Sequence, residues 1–238
     1  MNNDQVRSVS VFAIVMIFAF VPIAHASPAP ATLDAWQRYA AGLEQQLDRA
    51  RGTARSLPRD TLTASGESIP VPSGTISHWH GSVFIRGVTL DRVLAGLTNP
   101  GTPPPQADVV AARVLARDAR SVRVYIRLVR HAIVTATYDT EHQMTFTRHS
   151  PTLATARSVA TRIEEVGGGD RGFLWRLHSY WRYEQQPGGV LVELDSLTLS
   201  RSVPAIVRPV AMPLVNQVAR ESMTRTLEAL KQFFEKSA

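Results

Sequence analysis

Cysteine is absent from all 238 residues, which excludes a disulfide framework, a thiol nucleophile and thiolate metal sites. Lysine is nearly absent too. Of the 26 basic residues, only Lys231 and Lys236 are lysines and the rest are arginines. Aromatic residues are sparse at 7%. Beyond residue 26, no apolar run approaches the ~20 residues that a membrane-spanning helix needs. There is no internal repeat, phosphate-binding glycine loop, nucleophile elbow or zinc-protease helix. These absences remove the enzyme classes that are easiest to read in a sequence. A chain with 44% hydrophobic residues and no cross-link has to be held together by its core.

The first 26 residues read as an export signal. Arg7 gives a weak positive region, and Val9 to Ile23 is apolar except for Ser10 and Pro22. Ala24-His25-Ala26 then places small residues where a signal peptidase reads, with Ser27 following. An apolar run of about 15 residues is short for a retained anchor. Cleavage near Ala26 and a periplasmic or secreted location are therefore expected. Removing 26 of 238 residues leaves 212, enough for one well-buried domain. The expected division is a signal peptide over 1–26, a linker and N-terminal helix over 27–73, and one domain over 74–238.

The net charge is +6, and the arginines are spread along the chain rather than gathered in a tail. With no recognition motif and an export signal, nucleic acid is not an expected partner. Two causes remain for the arginine excess. One is coding bias; the other is transient contact with an anionic membrane surface, where the guanidinium fork grips phosphate.

Along the chain, Leu33, Trp36, Leu43 and Leu47 recur at helical spacing, with Thr32 as N-cap and Gly52 at the end. Ile69 to Gly74 reads as an extended loop. Thr75 to Arg86 is the first strand, and Thr89 to Leu97 a short helix. Asn99-Pro100-Gly101 and Pro103 to Pro105 form a strong break. Val109 to Asp118 is a strand that turns near Ala119-Arg120.

The alternation is then unusually long. Val122, Val124, Ile126, Leu128, Arg130, Ala132, Val134, Ala136, Tyr138, Thr140, His142, Met144 and Phe146 occupy the even positions, with mostly polar odd positions. A strand that long is improbable, so a bend near Arg130 to Ile133 should split it. Arg157 to Val166 is another strand. Phe173 to Gln186 carries Phe173, Trp175, Leu177, Trp181 and Tyr183 in one phase, and Pro187-Gly188-Gly189 turns it into a last strand, Val190 to Ser202. A long helix closes the chain from about Arg208 to Lys236. Pro209 and Pro213 loosen its start, and Val215, Val218, Ala219, Met223, Leu227, Leu230 and Phe234 form its apolar stripe.

Arg157-Ser158-Val159-Ala160-Thr161-Arg162, Phe173-Leu174-Trp175-Arg176-Leu177 and Gly188-Gly189-Val190, together with this element order, resemble the START-like (SRPBCC) superfamily over Gly74 to Lys236. Its helix-grip architecture is shared by START lipid-transfer domains, the birch-pollen allergen family and bacterial aromatase/cyclases. The chain departs from the pollen-allergen pattern in lacking a glycine-rich loop between the second and third strands. The resemblance implies an α+β fold in which a curved antiparallel sheet, of about seven strands here, wraps a long C-terminal helix. It also implies a cavity for a lipid or other hydrophobic ligand. The N-terminal helix is an addition to that plan.

Within such a cavity Trp175, Trp181 and Tyr183 are expected as an aromatic wall. Arg130, Tyr138 and His142 are the polar contacts, and Met223 and Leu227 the contacts from the closing helix. No catalytic residue, cofactor or metal is assigned. His78 and His80 flank Trp79 and share a face, but no third ligand stands at readable spacing. Binding without chemistry is the leading expectation. The alternatives are a cyclase-type enzyme with Tyr138 and His142 moving protons, and a structural or interaction protein whose cavity is filled by its own side chains.

Overall fold

The computed structural model describes residues 27–53, 55, 61–98, 108–118, 120–131, 135–167, 171 and 173–236. The expected export signal, the break at 99–105 and residues 132–134 of the expected bend lie outside the described residues. Helix α1 (Pro30–Arg49) precedes β1 (Thr63–Val71), β2 (Gly74–Arg86), α2 (Leu90–Thr98), β3 (Val109–Arg117), β4 (Ser121–His131), β5 (Thr135–Ser150), β6 (Leu153–Glu165), β7 (Arg176–Gln186), β8 (Gly189–Arg201) and α3 (Arg208–Glu235).

The strands form one antiparallel sheet in the order β1-β2-β8-β7-β6-β5-β4-β3. From β3 to β8 it is a meander, because short turns can join antiparallel neighbours. Gly188 makes the β7–β8 turn with φ of +87°, a backbone state that glycine adopts without a Cβ penalty. After β2, the chain crosses to the far edge through α2.

The sheet has eight strands rather than about seven, because Thr63–Val71 forms β1. Sequence reading makes part of that segment a loop, since Gly66 and Pro70 weaken its alternation. The partner strand supplies what the sequence does not: Ile69 pairs with Ile76 and Gly66 with Trp79. An edge position tolerates Pro70, whose missing N–H breaks no ladder. Thr32 is likewise not the cap of α1. Ala29 occupies that position, and the Thr32 hydroxyl donates instead to the Pro72 carbonyl at 2.5 Å, fastening the helix to the β1–β2 turn.

Register identifies the two faces of the sheet. Gly81, Leu194, Trp181, Ala156 and Phe146 lie side by side across β2, β8, β7, β6 and β5. A Cβ on Gly81 would sit 2.7 Å from Leu227 and 2.8 Å from Met223. This row therefore faces α3, which seats directly on β2 at that glycine. The adjacent row, His80, Asp195, Tyr180 and Arg157, faces the other way.

Each face has its own core. Inside, Trp79, Val83, Ile85, Tyr183, Val192 and Leu194 pack with Met223, Leu227, Leu230 and Phe234 of α3. Outside, Trp36, Ala40 and Leu43 of α1 cover Ile76, Leu197, Leu199 and Tyr180. The N-terminal helix thus lies on the back of the sheet, and burial of its apolar stripe is the main force holding it there.

Candidate functional site

Helix α3 is held at both edges of the sheet. It packs chiefly on β2 and β1, where Ser68 donates to the Asn216 side chain at 2.9 Å. At the other edge the Arg225 guanidinium reaches Asp108, immediately before β3, at 3.1 Å, and Ser222 donates to the same carboxylate at 3.2 Å. One helix bridging both edges of an eight-stranded sheet requires the sheet to curl around it. The inner face of β4 to β7 then lies across from the helix rather than against its backbone.

Small residues line part of that inner face. On β6, Ala154, Ala156, Ser158 and Ala160 alternate inward and are all buried. Beside them Trp181 and Tyr183 stack in parallel, with ring centroids 6.2 Å apart and an interplanar angle of 1°. Tyr183 is fully buried, and burial pushes its phenol well above the usual range. Toward β3, a second inner cluster of Leu128, Ala136 and Tyr138 packs with Ile126, Ile163 and Leu177.

Between the two inner clusters sits a polar group. The Thr140 hydroxyl donates to the Ile126 carbonyl at 2.9 Å, so it accepts from His142 Nε2–H at 3.0 Å. His142 Nδ1 is then the acceptor, and the Ser158 hydroxyl lies 3.3 Å from it. The chain of donors fixes the Nε2–H tautomer. Burial holds the imidazole near a pKa of about 4, so it is neutral at pH 7. The result is a satisfied, uncharged polar spot on an otherwise apolar face.

The expected residues divide as follows. Tyr138, His142, Trp181, Tyr183, Met223 and Leu227 all face inward. Trp175 does not share their wall. It packs with Trp36 and Leu199 under α1, because β7 begins only at Arg176 and side-chain alternation starts with the strand. Arg130 of β4 pairs with Ala136 of β5, and its side chain lies outside the described residues. Tyr138 and His142 are four residues apart on one strand, so their Cα atoms are roughly 13 Å apart, too far for a direct proton transfer. Sequence reasoning missed Ser158; the run of small residues at every second position of β6 is the signal that points to it.

The outer face carries the larger polar network. Tyr39 Oη lies 2.9 Å from His78 Nδ1, and His78 Nε2 and His80 Nδ1 lie 3.0 and 3.2 Å from one Asp195 oxygen. Burial alone would raise the Asp195 carboxyl, but these two hydrogen bonds outweigh it and hold it at about 2. The same bond raises His80 against the lowering effect of burial. Nearby, Glu44 of α1 accepts from Arg157 at 2.8 Å and from Tyr180 at 2.9 Å. The imidazoles serve as donors to a carboxylate here. Among the described residues, no group of three or more His, Asp or Glu side chains is placed to hold a metal.

No protein-family model matches the sequence, and no curated protein matches it. Solved structures do match. A STAR-related lipid transfer protein from Xanthomonas axonopodis superposes with a TM-score of 0.50 at 16% identity, covering 71% of this chain and 97% of that one. The chain has a START-like helix-grip fold. Also similar are a protein from Thermus thermophilus (TM-score 0.49, 17% identity, 67% and 97% coverage) and the Zhui aromatase/cyclase from Streptomyces (0.47, 13%, 68% and 94%). In this chain the START-like sheet and helix are supplemented by α1 on the sheet's outer face.

Proposed function

We propose that this chain is an exported START-like protein that holds a lipid or other hydrophobic small molecule between the inner face of the sheet and α3, without chemistry. The observation that carries this is the bridging of both sheet edges by α3, through Asn216 at one and Arg225 at the other. Such a curl sets the inner face of β4 to β7 opposite α3, and that face is apolar apart from the Tyr138 and Tyr183 phenols and the neutral Thr140–His142–Ser158 group. With its donors already used, that group offers only hydroxyl lone pairs on Thr140 and Ser158, which suit an uncharged hydroxyl donor on an otherwise greasy ligand. Burial of the ligand supplies ~25 cal/mol per Å² of apolar surface before ordering costs. The lipid-transfer activity named for the Xanthomonas structure is consistent with such a ligand.

Catalysis of the cyclase type, with Tyr138 and His142 as proton-transfer groups, gains no support from the site. Both imidazole nitrogens of His142 are already engaged, and Tyr138 stands four residues away along β5, roughly 13 Å. Titration with a fluorescent apolar probe tests the binding reading: saturable uptake at one site per chain supports it, and absence of uptake opposes it in favour of an interior filled by its own side chains.

A further inference from the structure

Helix α3 begins with a face that no other described element covers. Ile206, Val210 and Leu214 are 86%, 55% and 44% exposed. Their four-residue spacing places them along one side, in a stripe that starts in the turn before the helix and runs over its first two turns. Single exposed apolar residues are ordinary on a protein surface; a contiguous stripe marks a docking surface. The stripe is also firmly presented, because Ala211 on the other side of the same turn is buried and Asn216 is bonded to β1.

The charges around it have one sign. From Arg201 to Arg220 the chain contains no aspartate or glutamate, and Arg201, Arg208 and Arg220 are exposed. None of the three joins an ion pair among the described residues. Arg208 donates to the Val203 carbonyl at 3.3 Å, and Arg220 lies over the Trp79 ring at 5.9 Å from its centroid. A second copy docking stripe to stripe would bring like charges together without a carboxylate to offset them. An apolar layer topped by anionic headgroups complements both features at once.

We propose that the start of α3 docks the protein on an anionic lipid surface, with Ile206, Val210 and Leu214 entering the acyl boundary and Arg201 and Arg208 meeting the headgroups. This surface is independent of ligand capture inside the sheet. It places the helix that closes the inner space at the membrane.

The test is hydrogen-exchange mass spectrometry of the full chain, as its expression host processes it, with vesicles of phosphatidylglycerol and phosphatidylcholine and with vesicles of phosphatidylcholine alone. The expected result is protection of the amides of residues 203–214 on the anionic vesicles only. Vesicle affinity of that segment should fall at least tenfold both in Ile206→Ser/Val210→Ser/Leu214→Ser and in Arg201→Gln/Arg208→Gln. A single Ile206→Ser variant gives a milder loss that needs no tolerance of three changes. The proposal is overturned if 203–214 is not protected, if neutral vesicles protect it equally, or if the triple variant binds as the parent does. A concentration-dependent dimer that buries the stripe in the absence of lipid would overturn it as well.

Discussion

The Arg225 guanidinium and the Asp108 carboxylate lie 3.1 Å apart, fastening a helix seated on one edge of the sheet to the chain that enters the opposite edge. Arg225 is 40% exposed, so the pair adds little to stability, ~0–1 kcal/mol at most. Its consequence is geometric, because it closes the curl of the sheet. Asp108→Ala should lower the thermal midpoint by no more than a few degrees, yet release a bound apolar probe severalfold faster. Stopped-flow dissociation of the probe reads the difference.

Two tryptophans separate the inner site from the outer core. Trp181 stacks on Tyr183 at the inner face, whereas Trp175 packs under α1. Trp181→Ala should weaken probe uptake about tenfold or more while the fold survives. Trp175→Ala should leave uptake unchanged and cost ~3 kcal/mol through the cavity it leaves. Probe titration combined with urea denaturation distinguishes them, and equal effects on uptake would contradict the assignment of faces.

His142 gives the inner site a pH signature. Its folded pKa is about 4 against ~6.5 in the unfolded chain, so between these values the unfolded state binds more protons. Stability is therefore full above about pH 6.5 and declines as pH falls toward 4, by an amount on the order of 3 kcal/mol. His178, held at about 4 chiefly by burial, adds a component of the same sign. His142→Gln keeps a donor and an acceptor for Thr140 and Ser158 and should flatten part of this decline, as followed by denaturation at pH 4.5 and 7.

On the outer face His80 has the opposite sign. His80 is raised by its bond to Asp195, so its contribution is complete below about pH 6.5 and is lost as pH rises through its folded value. Asp195 is depressed to about 2, so its contribution is complete above about pH 4 and is lost as pH falls toward 2. His178 lies on this same face, its ring 5.1 Å from Trp36 of α1. Held at about 4, it loses its contribution as pH falls below about 6.5. With Tyr39, Glu67, Glu193 and Arg55 as the surrounding polar groups, the α1 side of the sheet should therefore be best protected at about pH 6.5. Hydrogen exchange over residues 30–49 should show this maximum, and Asp195→Asn should remove it.

How much of this could be read from the chain depends on where each signal sits. The inward face of β4 and β5 was legible because Val122 to Phe146 keeps one period-2 phase, and the register preserves it: Leu128 opposes Tyr138 and Val124 opposes His142. The stripe through Met223 and Leu227 was legible for the same reason at helical period. β1 was not, because its alternation is weak and its place comes from pairing with β2. Trp175 was assigned by phase to a strand that starts one residue later. The His78–Asp195 contact spans 117 residues and exists only through the β2–β8 register, which local pattern does not encode.

Whether the curled sheet and α3 hold a hydrophobic molecule is tested most directly by native mass spectrometry of gently purified protein, followed by solvent extraction. The expected result is one lipid or other apolar small molecule per chain, displaced by an apolar probe. A bare chain that also takes up no probe would contradict ligand binding and leave the interior as packed core.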